Sequence, residues 1–265
     1  MRLKLASFIL ILLLPLAVPA APWQEGRPTT VGHRGTTVLA DENTIAAFTI
    51  AWEQGLDVIE CDPKLTRDGV YVIMHDDDVD RTTDGHGAVA DLYLAQVKKL
   101  RTRSGLAVPT LLETLEFAGD HGLSVYLDVK HYPADGGELL VRNIEEAGML
   151  DRTIVGCYDL RTLVSVRRLC PDLSFCVSWP YPAGLLTAAL LGADAIGTLT
   201  ELASPALIKT AHLLGLRVIT MPVNDPQKLA RLSRAGLDGL QSDDPRLLAP
   251  YGKKAPAMPL PGTSE

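Results

Sequence analysis

The sequence has 265 residues and a formal net charge of −7, with 25 Lys and Arg against 32 Asp and Glu. That balance excludes a basic nucleic-acid-binding surface, and a hydrophobic content of 47% excludes a wholly disordered chain. A small anionic substrate would need a local cationic pocket.

Residues 1–20 carry Arg2 and Lys4, an uninterrupted apolar run over 8–16, and then Val18-Pro19-Ala20, with small residues where a signal peptidase reads. The run is shorter than the roughly 18 residues a spanning helix needs. Cleavage after Ala20 is therefore expected, giving an exported protein, periplasmic or secreted, without a stable transmembrane anchor. Loss of Arg2 and Lys4 takes the net charge to −9. About 245 residues remain, long for an ordinary domain but normal for one α/β barrel. Cys61, Cys157, Cys170 and Cys176 lie in this part, where an oxidising compartment could pair them. Three of them sit in apolar runs that favour buried free thiols, and their spacing gives no zinc motif.

Beyond the leader, short β-branched runs alternate with helical patterns, which predicts a parallel sheet. The expected strands are 29–33, 58–66, 70–75, 124–130, 153–158, 174–179, 194–199, 216–223 and 238–242, one too many for an eight-stranded barrel. The surplus is resolved at Thr66-Arg67-Asp68-Gly69, a turn too short for anything but an antiparallel return. A regular register would place Thr66 opposite Tyr71, Lys64 opposite Ile73 and Asp62 opposite His75. Helices are expected over 42–54, 109–121, 137–148, 160–169, 183–191, 205–214 and 226–235, several stopped by Gly. The expected fold is a (β/α)8 TIM barrel spanning 21–251, with an antiparallel hairpin arm after the second strand and an unstructured Pro-rich tail at 252–265.

Barrel enzymes carry reactive side chains at the C-terminal ends of their strands. Those ends here deliver His33-Arg34-Gly35, Glu60-Cys61-Asp62, His75-Asp76 from the hairpin, and Asp128-Val129-Lys130. Strand alternation puts Glu60 and Asp62 on one face and Cys61 on the other, and pairs Asp128 with Lys130. Three carboxylates in one mouth repel one another unless a cation neutralises them. An all-oxygen ligand set suits one divalent Mg2+ or Ca2+. His33 and His75 are the candidate acid and base, since imidazole titrates near neutrality. Arg34 and Lys130 are cationic donors fit for a phosphate, although each could instead serve as a charge partner for Glu60 or Asp128. His86, His121, His131 and His212 fall in loops or on expected helices and are read as surface residues. Tyr158, Trp179 and Tyr181, at or beyond strand ends, are placed either to line the mouth or to cap the core.

These residues, taken in order, resemble the glycerophosphodiester phosphodiesterase family. His33-Arg34-Gly35, Glu42-Asn43-Thr44, Glu60-x-Asp62, the hairpin from Lys64 to Gly69, His75-Asp76 and the Arg81 to Gly85 run Arg-Thr-Thr-Asp-Gly all carry the likeness. It extends to Val223-Asn224-Asp225-Pro226 and to the run from Gly236 to Asp243. The resemblance implies metal-dependent hydrolysis of a glycerophosphodiester to sn-glycerol 3-phosphate and an alcohol. Glu60 and Asp62 become metal ligands, His33 and His75 the acid/base pair, and Arg34 a phosphate contact. Glu42 becomes a carboxylate standing behind the ligands, or else serves the start of the first helix. Asp128 stands where many members have Glu, and Met221-Pro222-Val223-Asn224 replaces a Trp-Thr-Val-Asn run. Those two departures bring lysophospholipids, cleaved by a phospholipase D-like reaction, into view as an alternative substrate. An exported barrel that only binds a phosphodiester is a further alternative, but it has no use for an acid/base pair.

Overall fold

A computed structural model describes residues 23–130, 136–178 and 184–253. The expected leader at 1–20, His131, Trp179, Tyr181 and residues 254–265 of the expected tail lie outside the described residues. Ten strands form, in chain order β1 (Thr29–Gly32), β2 (Val58–Cys61), β3 (Pro63–Leu65), β4 (Tyr71–Ile73), β5 (Ser124–Asp128), β6 (Thr153–Cys157), β7 (Ser174–Ser178), β8 (Ala195–Thr198), β9 (Arg217–Thr220) and β10 (Gly239–Ser242). Eight of them close a parallel barrel in the order β1-β10-β9-β8-β7-β6-β5-β2, and β3 and β4 stand apart as an antiparallel pair. The helices are α1 (Ile45–Glu53), α2 (Leu94–Val97), α3 (Leu111–Asp120), α4 (Gly136–Glu146), α5 (Leu160–Leu169), α6 (Gly184–Leu190), α7 (Pro205–Leu213), α8 (Pro226–Arg234) and α9 (Pro245–Leu248).

Alternation along each strand divides the apolar residues into two cores. Val31, Val58, Tyr126, Ile154, Cys176, Ala195 and Ile219 fill the barrel interior. Ile59, Cys61, Val125, Leu127 and Val155 point outward into the layer formed with the helices, which holds Phe48, Leu111, Leu115 and Ile144. Tyr126, whose register partner on β6 is Ile154, has room inside because Gly156 two residues further along β6 has no side chain: a Cβ there would collide with the Tyr126 ring. All four cysteines are free and buried. Burial pushes the Cys157 thiol up to about 11 and the Cys176 thiol up to about 12, so they act as small apolar residues.

The structure corrects the expected 58–66 strand, which breaks after Cys61: β2 stays in the barrel while β3 swings into the hairpin. The hairpin register is also one residue off the expected one, pairing Pro63 with Ile73, Lys64 with Val72 and Leu65 with Tyr71. The cause is a three-residue loop. Thr66 N donates to Val70 O and Val70 N donates to Thr66 Oγ1, while Gly69 takes φ +75°, a left-handed conformation such loops require. Asp62 consequently lies across from Met74, whose N–H it accepts at 2.8 Å, and not from His75. The first helix starts at Ile45 because Thr44 caps it, accepting from Ala47 N; Glu42 is thereby released from any helical duty. Between β4 and α3 the chain builds a small excursion around its own core of Val72, Met74, Val79, Val89, Val97 and Val108.

At the end of the barrel opposite the strand C-termini, Asp57 is 2% exposed and accepts from both Arg27 Nη1 and Nη2 at 2.7 Å, from Thr30 N at 3.0 Å and from Thr30 Oγ1 at 2.9 Å. Arg27 also donates to Tyr251 O, which joins the first described turn of the chain to the last. Asp57→Ala strands the Arg27 charge and two Thr30 donors, an error of the kind that costs about 3 kcal/mol or more. The expected result is a melting temperature lower by roughly 6–12 °C, measured by calorimetry, with kcat unchanged because this end is remote from the reactive side chains.

Candidate active site

The C-terminal ends of β1, β2 and β5 and the end of the hairpin bring His33, Arg34, Glu60, Asp62, His75, Asp128 and Lys130 to one rim. Glu60 and Asp62 are buried, at 2% and 1% exposure, and Asp128 is half-buried. One carboxylate oxygen from each of Glu60, Asp62 and Asp128 lies within 4.8 Å of the others. Burial, and then the charges of Asp62 and Asp128, push the Glu60 carboxyl well above its ordinary range. Burial and Asp62 raise Asp128 likewise. For Asp62, burial pushes upward but Lys130, whose Nζ donates to Asp62 Oδ1 at 2.8 Å, outweighs it and leaves the carboxyl lowered. Asn43 Nδ2 donates to the other Asp62 oxygen at 2.9 Å. Asp128 Oδ1 is buried with no hydrogen-bond partner. An unpartnered buried oxygen on a carboxylate that clusters with two others is the arrangement a hard divalent cation would satisfy, so the donor set fits such an ion.

Arg34 sits at φ +52°, a left-handed backbone uncommon for a residue with a Cβ. That twist turns its N–H onto Glu60 Oε2 at 2.7 Å and its guanidinium onto Glu42 Oε1 at 2.8 Å, with Nε 3.6 Å from Asp62. Gly35 follows at φ +75°, where a Cβ would come within 2.6 Å of the α1 backbone at Ala47. The His-Arg-Gly run is thus the turn that delivers an imidazole, an amide and a guanidinium to one place.

Both rim histidines are held the same way. His33 Nδ1 lies 2.6 Å from Asp243 Oδ1, and His75 Nδ1 lies 2.7 Å from Asp76 Oδ1. A carboxylate only accepts, so Nδ1 carries a proton in each and Nε2 is the ring nitrogen left for proton transfer, an acceptor in the neutral ring and a donor in the imidazolium. His33 Nε2 stands 3.9 Å from Glu60. The His33 bond, partly opposed by burial, draws the Asp243 carboxyl down to about 2. Asn224 Nδ2 donates to the other Asp243 oxygen, and Asn224 Oδ1 accepts from Ser242 and from the Asp243 amide. The hydrogen bond from Arg81, more than any other influence, pulls Asp76 far below the carboxylate range.

Sequence reading placed the rim residues together but assigned no part to Asn43, Asp76, Arg81, Asn224 or Asp243. All five fall inside the runs singled out in the sequence, which was the available signal. Tyr158, 43% exposed, lies at the mouth with its hydroxyl 3.7 Å from Met221 Sδ. Of the other histidines, His86 and His212 are exposed, whereas His121 is half-buried, stacked on Phe117 and edge-on to Trp52. Its place at the end of α3 makes it a packing residue, correcting the surface reading.

The family model described as the glycerophosphoryl diester phosphodiesterase family matches residues 33–247. The chain belongs to that family. It is 33% identical over 233 residues to a glycerophosphodiester phosphodiesterase of Caldanaerobacter subterraneus subsp. tengcongensis, covering 82% of this chain and 95% of the relative. Among solved structures it is similar to the Agrobacterium tumefaciens glycerophosphodiester phosphodiesterase, with TM-score 0.76 and 25% identity over 84% of this chain and 99% of that one. It is similar also to an Oleispira antarctica phosphodiesterase in complex with the product sn-glycerol-3-phosphate, with TM-score 0.76 and 26% identity over 85% and 96%. Membership of this family makes the chain a phosphoric diester hydrolase with a small-molecule substrate.

Proposed function

We propose that the protein hydrolyses glycerophosphodiesters to sn-glycerol 3-phosphate and an alcohol, with His33 and His75 as the acid/base pair. The observation that carries this reading is the pair of imidazoles, each fixed through Nδ1 by an aspartate, beside three mutually repelling carboxylates. Glu60, Asp62 and Asp128 would hold one Mg2+ or Ca2+, whose chemistry is to polarise a phosphoryl oxygen. Arg34 and Lys130 each keep N–H groups beyond those given to Glu42 and Asp62, and these bind the remaining phosphoryl oxygens as charge develops. One histidine, neutral at Nε2, takes the proton of the attacking water or glycerol hydroxyl, and the other, as an imidazolium, gives its Nε2 proton to the departing alcohol oxygen. A cyclic phosphate in the early time course would identify the neighbouring glycerol hydroxyl as the nucleophile; its absence would identify water. The leader at 1–20 supports export, which N-terminal sequencing of the mature protein tests.

A second reading has lysophospholipids as substrate. It is supported by exposed apolar side chains on loops that follow the barrel strands: Val38 and Leu39 after β1, Tyr158 after β6 and Leu199 after β8. Phosphodiester cleavage is compared for glycerophosphocholine and lysophosphatidylcholine, each with Mg2+, Ca2+ or EDTA. Metal-dependent release of glycerol 3-phosphate at the higher kcat/KM supports the first reading, and a higher kcat/KM on the lysolipid replaces it with the second.

A further inference from the structure

The sequence contains one run that the proposed chemistry does not use, Arg81-Thr82-Thr83-Asp84-Gly85. Its arginine makes four hydrogen bonds to two carboxylates. Arg81 Nε donates to Asp76 Oδ2 at 2.6 Å and Nη2 to Asp76 Oδ1 at 3.1 Å, while Nη1 donates to Glu42 Oε2 at 3.1 Å and Nη2 to Glu42 Oε1 at 2.8 Å. One oxygen of each carboxylate is shared with a further partner: Asp76 Oδ1 also accepts from His75 Nδ1, and Glu42 Oε1 also accepts from Arg34 Nη1. The chain His75–Asp76–Arg81–Glu42–Arg34 is therefore continuous, and among the described residues Arg81 is the side chain that bonds both Asp76 and Glu42. It also joins two separate pieces of the fold, the excursion after β4 and the turn between β1 and α1.

We infer that Arg81 is the positioning residue that fixes the His75 imidazole relative to the phosphate-binding Arg34, acting through Asp76 and Glu42. The inference rests on the acid/base reading of His75. The physical argument is one of geometry. Asp76 is adjacent in sequence to His75 and sits on a loop, so by itself it can follow the ring through several rotamers. Two parallel N–H bonds from a planar guanidinium remove that freedom, and the same plane is fixed on its other edge by Glu42. Arg34 keeps Glu42 as its partner when Arg81 is lost, so the phosphate end is disturbed less than the imidazole end. Lysine, a point charge with no fork, cannot span both carboxylates in this manner. Arg81 is itself about half exposed, at 48% of its side chain, so its replacement leaves the core intact.

The experiment compares the full-length wild type with Arg81→Ala, Arg81→Lys, His75→Ala and the double variant Asp76→Asn/Arg81→Ala on glycerophosphocholine, with melting temperatures measured alongside. Expected is a fall in kcat of about 10- to 100-fold for both Arg81 variants, part of the 10²–10⁴-fold that a positioned acid or base supplies, with KM within about threefold and melting temperature unchanged. Added guanidinium at millimolar concentration should restore kcat in Arg81→Ala but not in the double variant. Full activity in His75→Ala would remove the acid/base reading and this inference with it. An inactive His75→Ala beside a fully active Arg81→Ala would overturn the inference alone. So would full activity in Arg81→Lys, which would mean that charge suffices, or equal rescue by guanidinium in the double variant, which would mean that Asp76 is not the route.

Discussion

Replacement of either His33 or His75 by Ala is expected to lower kcat by about 10²–10⁴-fold, with a KM change of only a few-fold. Both rings are part-buried at the rim and their aspartate partners keep other donors, Asn224 for Asp243 and Arg81 for Asp76, so the cost should appear in the chemical step. Asp243→Asn tests the same idea without removing the ring. An Asn amide nitrogen can only donate, so if it faces Nδ1 it selects the tautomer with the proton on Nε2, the wrong one for a base. Its kcat should fall by at least tenfold while Asn224 continues to hold the side chain. If the histidines act in one step, the double His33→Ala/His75→Ala variant should be no slower than the slower single variant, because loss of either already forfeits the concerted transfer. Independent, multiplying losses in steady-state kinetics would instead place them in separate steps.

The barrel and its rim were legible because both depend on short-range rules. Strand alternation put Glu60 and Asp62 on one side and Cys61 on the other, and the structure agrees, with Cys61 packed in the helix layer beside Ile59 and Leu127. The count of nine expected strands against eight was resolved by the length of the Thr66–Gly69 turn alone, since no parallel crossover fits so short a connection. The register of that hairpin was not legible. It turns on whether two or three residues occupy the loop, and Thr66 decides this through its own hydroxyl, which competes for the Val70 amide. Helix α2 at Leu94–Val97 was missed for a different reason: a single turn is too short to show a 3.6-residue period, and it exists because Val97 packs into the excursion's own small core. The partners of the two histidines were hidden differently again. Asp76 is a sequence neighbour, but Asp243 lies 210 positions from His33, and only closure of β10 against β1 brings them together.

Divalent metal should raise the stability of the folded protein. Three carboxylates within 4.8 Å of one another, two of them buried, oppose folding whenever all are ionised. For Glu60, whose carboxyl is raised, the sign is definite: protonation stabilises the folded state at low pH, and that contribution is lost as pH rises through the raised value. A bound Mg2+ or Ca2+ removes the repulsion in place of the proton. At about 100 times its Kd such an ion adds roughly 2.7 kcal/mol, or about 5–10 °C in melting temperature for a domain of this size. EDTA should abolish both the increment and turnover. Asp128→Asn separates charge from shape, since it keeps the side chain's size and removes one of the three charges. Metal-free Asp128→Asn should melt at or above the metal-free wild type, show no increment with Mg2+ or Ca2+, and have kcat at the background level. An increment that persists in Asp128→Asn would move the ion to other residues, whereas a metal-free variant less stable than the wild type would mean that Asp128 is held by contacts stronger than the repulsion assigned to it. The unpartnered Asp128 Oδ1 argues for the first pattern, because an oxygen with no hydrogen bond to lose is the one whose charge costs most when no cation is there.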